Sequence, residues 1–99
     1  MSSDLILLPE AALDLEDAYR WYRMNASTET AKAFLKRLDE ALESITASPT
    51  SFRIRFQGLR FAPLKQFPYF IVFRIDTDSL RVFAVFHARR NSATLQKRL

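Results

Sequence analysis

The 99-residue chain is 48% hydrophobic, with nine phenylalanines, and carries 15 Lys and Arg against 11 Asp and Glu, a net charge of +4. It has no cysteine and one histidine, which excludes disulfides and thiolate chemistry and argues against a zinc or iron site. We therefore expect no metal and no cofactor. The length predicts a single domain over residues 1–99 with a hydrophobic core.

The charge is divided unevenly along the chain. Residues 1–50 hold 5 Lys and Arg against 9 Asp and Glu, whereas residues 51–99 hold 10 against 2. A surface of one sign steers partners of the opposite sign toward it. The basic half therefore predicts a polyanion or an acidic protein segment as the partner.

Targeting features are absent from the sequence. The start of the chain lacks the basic region of a signal peptide, and no apolar run approaches the roughly 20 residues of a membrane span. We expect a cytoplasmic protein with no membrane partner.

The first half of the chain predicts a strand and two helices. Residues 5–8 form an apolar run typical of a buried strand, and Pro9 suits the first turn of the helix that follows. The apolar period extends this helix to about Met24. Ser27 is a suitable N-cap for a second helix, which ends before Pro49 because the residue before a proline is disfavoured in helical geometry. Apolar stripes at helical spacing support both helices: Leu15, Ala18, Tyr19 and Tyr22 on the first, and Ala31, Phe34, Leu35, Leu38, Leu42 and Ile45 on the second.

The aromatic residues of the first helix divide into two groups. Tyr19 and Tyr22 lie on the apolar stripe and are expected to pack in the core. Trp21 lies off the stripe, so we expect it to be exposed as a contact for a second copy or for a target.

The second half of the chain begins with a predicted hairpin. Apolar residues alternate with Arg53 and Arg55, and Gln57 and Gly58 are suitable for a two-residue turn. A tight turn places Arg55 opposite Arg60, with Arg53 on the same face. Because like charges directly across a strand pair repel, we interpret this face either as a surface that binds an anion or as a solvated surface.

Two nearly continuous apolar runs, residues 69–75 and 80–88, predict strands that are covered on both faces. Strict alternation along the second strand gives two sets of side chains. One face holds Leu80, Val82, Ala84, Phe86 and Ala88, and the other holds Arg81, Phe83, Val85, His87 and Arg89. The β-α-α-β-β-β order predicts an α+β domain, in which an N-terminal strand and a helical hairpin pack on a small, mainly antiparallel twisted sheet.

Four segments carry a family resemblance: residues 9–15 (PEAALDL), the helix end at residues 48–49, residues 67–73 (FPYFIVF) and residues 85–90 (VFHARR). In this order they resemble the RelE/ParE superfamily of bacterial toxins over nearly the whole chain. The resemblance implies the toxin of a type II toxin–antitoxin system, with roles in growth arrest and plasmid stabilization. It also implies a cognate antitoxin that is acidic, folds on binding and forms a toxin–antitoxin hetero-oligomer.

The resemblance implies two mechanisms. RelE-like members are metal-independent ribonucleases that cut mRNA on the ribosome, whereas ParE-like members bind and inhibit DNA gyrase. Where the RelE pattern has an arginine this chain has Phe70, no tyrosine lies near Leu95, and only Arg90 keeps a cationic position. We therefore favour a ParE-like inhibitor that acts by binding over an enzyme; if the chain is an enzyme, it is a metal-independent endoribonuclease.

Two alternatives remain open. One is a ribosome-dependent endoribonuclease that uses His87 as acid or base, with Arg60, Arg89 and Arg90 holding phosphate. The other is a degenerate member that binds its antitoxin and inhibits nothing. In the preferred interpretation a basic groove accepts the antitoxin or the target, and the antitoxin adds a strand or a helix to the sheet. The predicted binding residues are Arg53, Arg55, Arg60, Arg74, Arg89, Arg90 and Trp21.

Overall fold

The chain folds into a five-stranded sheet with a helical hairpin on one face, in a computed structural model that describes residues 4–99. The elements in chain order are β1 (Asp4–Leu7), α1 (Pro9–Asn25), α2 (Thr28–Ala47), a 3₁₀ turn (Pro49–Ser51), β2 (Ile54–Phe56), β3 (Leu59–Pro63), β4 (Tyr69–Ile75), β5 (Ser79–His87) and α3 (Ala93–Gln96). Residues 1–3 of the predicted domain lie outside the described part. The strand order is β1-β5-β4-β3-β2, with β1 parallel to β5 and the other neighbours antiparallel.

The predicted α+β class and the mainly antiparallel sheet are confirmed. Four strands follow the helices, where the β-α-α-β-β-β order counts three, because the predicted hairpin contributes two strands, β2 and β3. Within residues 4–99, no helix is long and apolar enough to cross a bilayer.

The two long helices begin and end close to the predicted residues. Pro9 is at the start of α1, where its missing N–H costs no hydrogen bond. Ser27 is the N-cap of α2, and its side chain accepts a hydrogen bond from the Thr30 N–H at 3.0 Å. Tyr22 packs against the core between the helices and the sheet, and Tyr19 is half-buried.

Both faces of the sheet are covered by apolar side chains. On the face toward α1 and α2, here called the helix face, Phe34, Leu38 and Ile45 pack with Ile71 and Phe73 of β4. On the opposite face, here called the second face, the short helix α3 contributes a buried leucine. The second-face cluster comprises Leu59, Val72, Phe83, Ala84, Phe86 and Leu95. Strands β4 and β5 are therefore apolar on both sides, as their composition predicts.

A β-bulge in β5 changes which side chains share a face. Val72 of β4 pairs with Ala84, and the next residue of β4, Phe73, pairs with Val82, so Phe83 is an extra residue in β5. Val82 and Val85 consequently both lie on the helix face. The prediction of strict alternation along this strand is wrong beyond Phe83, where every side chain is on the face opposite to the expected one. Ala84 and Phe86 therefore join Phe83 on the second face.

The predicted turn is present, but the register of the hairpin differs from the prediction. Gln57 and Gly58 have positive φ angles of 48° and 76°, which suit a two-residue hairpin turn. Ile54, not Arg55, pairs with Arg60, because the β2–β3 register shifts between Ile54 and Phe56.

The register shift also separates the two arginines that were expected to lie opposite each other. The Arg55 guanidinium lies over the ring of Phe61 on the second face, 4.7 Å from its centroid. Arg60 pairs with the helix-face residue Phe73 of β4 and donates from Nη1 to the Phe52 carbonyl at 2.6 Å. The expected repulsion between Arg55 and Arg60 does not arise, because the two side chains lie on opposite faces of the sheet.

The left-handed conformation of Gly58 gives a prediction about stability. A Cβ at this position meets Arg74 Cδ at 3.4 Å, an ordinary contact, so the cost of Gly58→Ala comes from the backbone. We expect Gly58→Ala to lower the free energy of unfolding by about 1–2 kcal/mol, measured by urea denaturation. Gly58→Asn should lose less, because asparagine tolerates this conformation. Equal losses in both variants would contradict this explanation.

Candidate functional site

The end of β5 presents the single histidine to a cleft on the helix face. The His87 ring contacts Tyr69 edge-to-face, with the ring centroids 4.9 Å apart. His87 Nδ1 accepts a hydrogen bond from the Arg89 N–H at 3.1 Å. In the neutral ring this hydrogen bond assigns the proton to Nε2, so His87 offers a donor, not an acceptor, at its second nitrogen.

The cleft beside His87 has a volume of about 190 Å³. It brings together three residues singled out in the sequence, Trp21, His87 and Arg90, together with Asp17 and Tyr69. Trp21 is 57% exposed, as expected from its position off the apolar stripe. Burial raises the pKa of the Tyr69 hydroxyl above its usual value, so this group remains a hydrogen-bond donor at neutral pH.

Beyond the end of β1, the backbone of β5 is hydrogen-bonded by the two side chains of an ion pair. Leu8, the residue that follows β1, donates its N–H to the Val82 carbonyl at 3.1 Å. Farther along, Asp14 Oδ2 accepts the Val85 N–H at 3.0 Å, and Arg98 Nη1 donates to the Phe83 carbonyl at 3.2 Å. These two side chains satisfy backbone groups that a longer β1 would have paired.

Asp14 and Arg98 also bind each other in a bidentate arrangement. Arg98 Nη1 lies 2.6 Å from Asp14 Oδ2, and Arg98 Nη2 lies 2.9 Å from Asp14 Oδ1. The side chains are only 9% and 13% exposed for Asp14 and Arg98, respectively. The hydrogen bond to Asp14 raises the pKa of the Arg98 guanidinium above its usual value. Arg90 is more loosely attached, with Nη1 3.8 Å from Asp14 Oδ1.

A second groove, of about 400 Å³, lies on the second face. Its floor is aromatic, and Arg55 and Arg90 contribute its cationic side chains. The lining residues are Arg55, Phe56, Phe61, Phe70, Phe86, Ala88, Arg90 and Ser92. We call this the aromatic groove. The Arg55 guanidinium lies 4.7 Å from the Phe61 centroid and 5.7 Å from the Phe70 centroid, so its charge stands directly over the aromatic floor.

The predicted arginines do not form one continuous groove. Arg55 and Arg90 line the aromatic groove, and Arg90 also lines the cleft beside His87. Arg74 lies over Phe83 on the second face, with its guanidinium 5.0 Å from the ring centroid. Arg60 lies on the helix face. Two further predicted arginines, Arg53 and Arg89, are exposed and line neither of these cavities.

A family model described as the ParE toxin of type II toxin–antitoxin systems, parDE, matches residues 5–92. The chain belongs to the ParE toxin family. The sequence resemblance to the RelE/ParE superfamily is thereby confirmed, on its ParE side.

The fold of this ParE-family toxin is similar to that of two solved structures. One is the chromosomal ParDE TA system from P. aeruginosa, with a TM-score of 0.78 and 18% identity over 88% of this chain and 97% of that chain. The other is the YoeB dimer from Staphylococcus aureus, with a TM-score of 0.57 and 14% identity over 86% of this chain and 95% of that chain. No curated protein shows significant sequence similarity to the chain.

The chemistry available to this ParE toxin differs between its two cavities. The aromatic groove is lined by no acidic residue and no histidine, so it offers binding but no proton transfer. The cleft beside His87 contains the imidazole of His87 and two carboxylates, of which Asp14 is bound to Arg98 and Asp17 is exposed. Among residues 4–99, no group of three or more histidine, cysteine or acidic side chains is arranged to hold a metal.

The Asp14–Arg98 pair was not predicted from the sequence. The two residues are separated by 84 positions, and Arg98 lies in a tail without a periodic pattern. One feature of the sequence indicated that the Asp14 side chain is largely buried: Asp14 shares a side of α1 with Ala11 and Ala18, which are buried. A carboxylate between buried positions needs a partner, and the strongly basic C-terminal half was available to supply one.

Removing Arg98 should destabilise the protein more than removing other arginines. Arg98→Ala leaves the Asp14 carboxylate largely buried with its main counterion gone, and we expect a loss of about 2–4 kcal/mol in the free energy of unfolding. The matched control is Arg89→Ala, at an exposed arginine, where we expect a change within about 0.5 kcal/mol. Chemical denaturation of both variants measures the difference. Similar stabilities for the two would show that the pair does not hold the edge of β5.

Proposed function

We propose that this ParE toxin arrests growth by binding DNA gyrase in the cytoplasm, and that a cognate antitoxin neutralises it by occupying the aromatic groove. The target rests on membership of the ParE toxin family, and the observation that carries the antitoxin site is the composition of that groove. It joins an aromatic floor to the guanidinium groups of Arg55 and Arg90 and contains no group for acid–base chemistry. On a plasmid, such a pair of proteins would stabilise inheritance of the plasmid.

An acidic segment with apolar side chains is the ligand that suits this groove. Its apolar groups would pack on Phe61 and Phe70, and its carboxylates would accept hydrogen bonds from Arg55 and Arg90. Arg55 has an exposed guanidinium held over the ring of Phe61, so little conformational entropy is lost when it binds. A segment that is disordered when free would fold on this surface and form a toxin–antitoxin hetero-oligomer.

The ribonuclease alternative depends on His87 and receives less support from the geometry. Cleavage of RNA through the ribose 2′-hydroxyl needs an acceptor for its proton. His87 Nδ1 is occupied by the Arg89 N–H, and Nε2 carries the proton in the neutral ring. Arg60, one of its proposed phosphate ligands, lies beside Phe52 and does not line the cleft. Arg90 remains in the cleft, which is the specific observation that favours this alternative.

The gyrase proposal is tested with purified protein. The toxin should inhibit gyrase-catalysed supercoiling at micromolar concentration, and addition of the antitoxin should restore supercoiling. The variant His87→Ala should inhibit equally well, because the proposal assigns no chemistry to His87. A toxin that leaves gyrase active but cleaves mRNA on ribosomes, with loss of cleavage in His87→Ala, would establish the alternative instead.

The antitoxin site is tested by charge reversal with a matched control. Arg55→Glu should weaken binding of the antitoxin by about tenfold or more, because a repulsive charge replaces an attractive one at the groove. Arg53→Glu makes the same change in net charge at an exposed residue outside the groove, and its effect should be about twofold at most. Affinities are measured by calorimetry at two salt concentrations. Equal losses in the two variants would mean that net charge, and not the groove, controls binding.

A further inference from the structure

The two edges of the sheet are protected to very different degrees. At one edge, β2 is only three residues long, carries Arg55 and has an irregular register, and the neighbouring β3 ends in Pro63. Short length, charge, irregularity and proline are the features that prevent a sheet edge from pairing with another chain. At the other edge, β1 is four residues long and begins with Asp4, but it has a regular register to β5 and contains no proline, glycine or basic residue.

The outer edge of β1 can accept another strand. Leu8 donates its N–H to Val82 of β5, so alternate residues such as Ile6 also point their backbone groups toward β5. The N–H and C=O groups of Leu5 and Leu7 therefore point outward, and no strand among residues 4–99 pairs with them. Leu5, Ile6 and Leu7 are 36%, 41% and 40% exposed, which leaves an apolar surface beside these free backbone groups.

On the side that faces α2, β1 is bordered by negative charge, whereas on the other face Arg81 pairs with Ile6 and forms an ion pair with Asp76. A cavity of about 460 Å³ lies between β1 and α2, and its lining has two acidic residues and no basic one. These residues are Leu5, Asp39, Leu42, Glu43, Thr46 and Ala47. Within residues 4–99, neither Asp39 nor Glu43 forms an ion pair. Both are exposed on α2, one turn apart.

We propose that the outer edge of β1 is a docking site for an extended, positively charged segment of a partner protein, which adds a strand to the sheet. Its basic side chains would face α2, with their aliphatic parts on Leu5 and Leu42 and their charges at Asp39 and Glu43. Its apolar side chains would lie on the other face, beside Ile6. This segment has the opposite charge to the one proposed for the aromatic groove, and the inference does not depend on that proposal.

A second copy of this chain fits the edge less well. Pairing two β1 strands about a two-fold axis brings the α2 carboxylates of one copy, Asp39 and Glu43, toward those of the other, and like charges across an interface oppose association. Charge complementarity therefore selects a basic partner.

The probe is a short peptide that alternates lysine and valine, compared with one that alternates glutamate and valine. The lysine peptide should bind the full-length protein, and hydrogen exchange observed by NMR should slow at the Leu5 and Leu7 amides. The Ile6 amide, which points toward β5, should change little. Binding of the glutamate peptide with equal affinity, or binding of the lysine peptide without added protection at Leu5 and Leu7, would overturn the proposal.

Two double variants with equal net charge distinguish a local effect at the β1 edge from an effect of the net charge of the protein. Asp39→Lys combined with Glu43→Lys should weaken the lysine peptide about tenfold, because two attractive contacts become repulsive. Glu16→Lys combined with Glu29→Lys makes the same change in net charge at acidic residues that do not line the cavity, and should have less than about a twofold effect. Equal losses of affinity for the lysine peptide in both double variants would overturn the proposed site. Protection of Leu5 and Leu7 in the absence of peptide, together with dimers in sedimentation, would establish a second copy as the occupant and likewise overturn the proposal.

Discussion

The extra residue at Phe83 determines which side chains meet at the end of β5, where the cleft beside His87 and the aromatic groove lie. Because the bulge shifts every later side chain of β5 to the other face, His87 lies beside Tyr69, while Phe86 completes the aromatic groove. The Asp14–Arg98 pair binds the backbone on either side of Ala84, at Phe83 and Val85. This pair also joins Arg98, near the C-terminus, to Asp14 of α1.

The surface of this small domain is divided by charge as well as by face. The aromatic groove presents guanidinium groups above phenylalanine rings, whereas the β1 edge presents leucines beside carboxylates. The division follows the chain, because α2 belongs to the acidic half and β2 to β5 belong to the basic half. Under the two proposals, partners of opposite charge bind different surfaces, so the toxin would bind its antitoxin and a second protein without competition.

Local patterns in the sequence predicted the elements well, but not their registers. Helix boundaries at Pro9 and Ser27 and the turn at Gly58 depend on the chemistry of single residues, and each lies where it was expected. The bulge depends on the fit between two strands, so alternation alone gave the wrong face for Val85 and His87. The predicted single groove of arginines does not form, because the register shift between β2 and β3 places Arg55 and Arg60 on opposite faces of the sheet. The Asp14–Arg98 pair joins the two ends of the chain, and no local pattern could have revealed it.

The most direct test of this account is NMR mapping of the antitoxin on isotopically labelled toxin. If the antitoxin occupies the aromatic groove, the largest chemical-shift changes will occur in β2, β3 and β4 around Arg55, Phe61 and Phe70, with small changes at Trp21 and His87 on the other face. Changes concentrated at Trp21 and His87, with the aromatic groove unaffected, would contradict it.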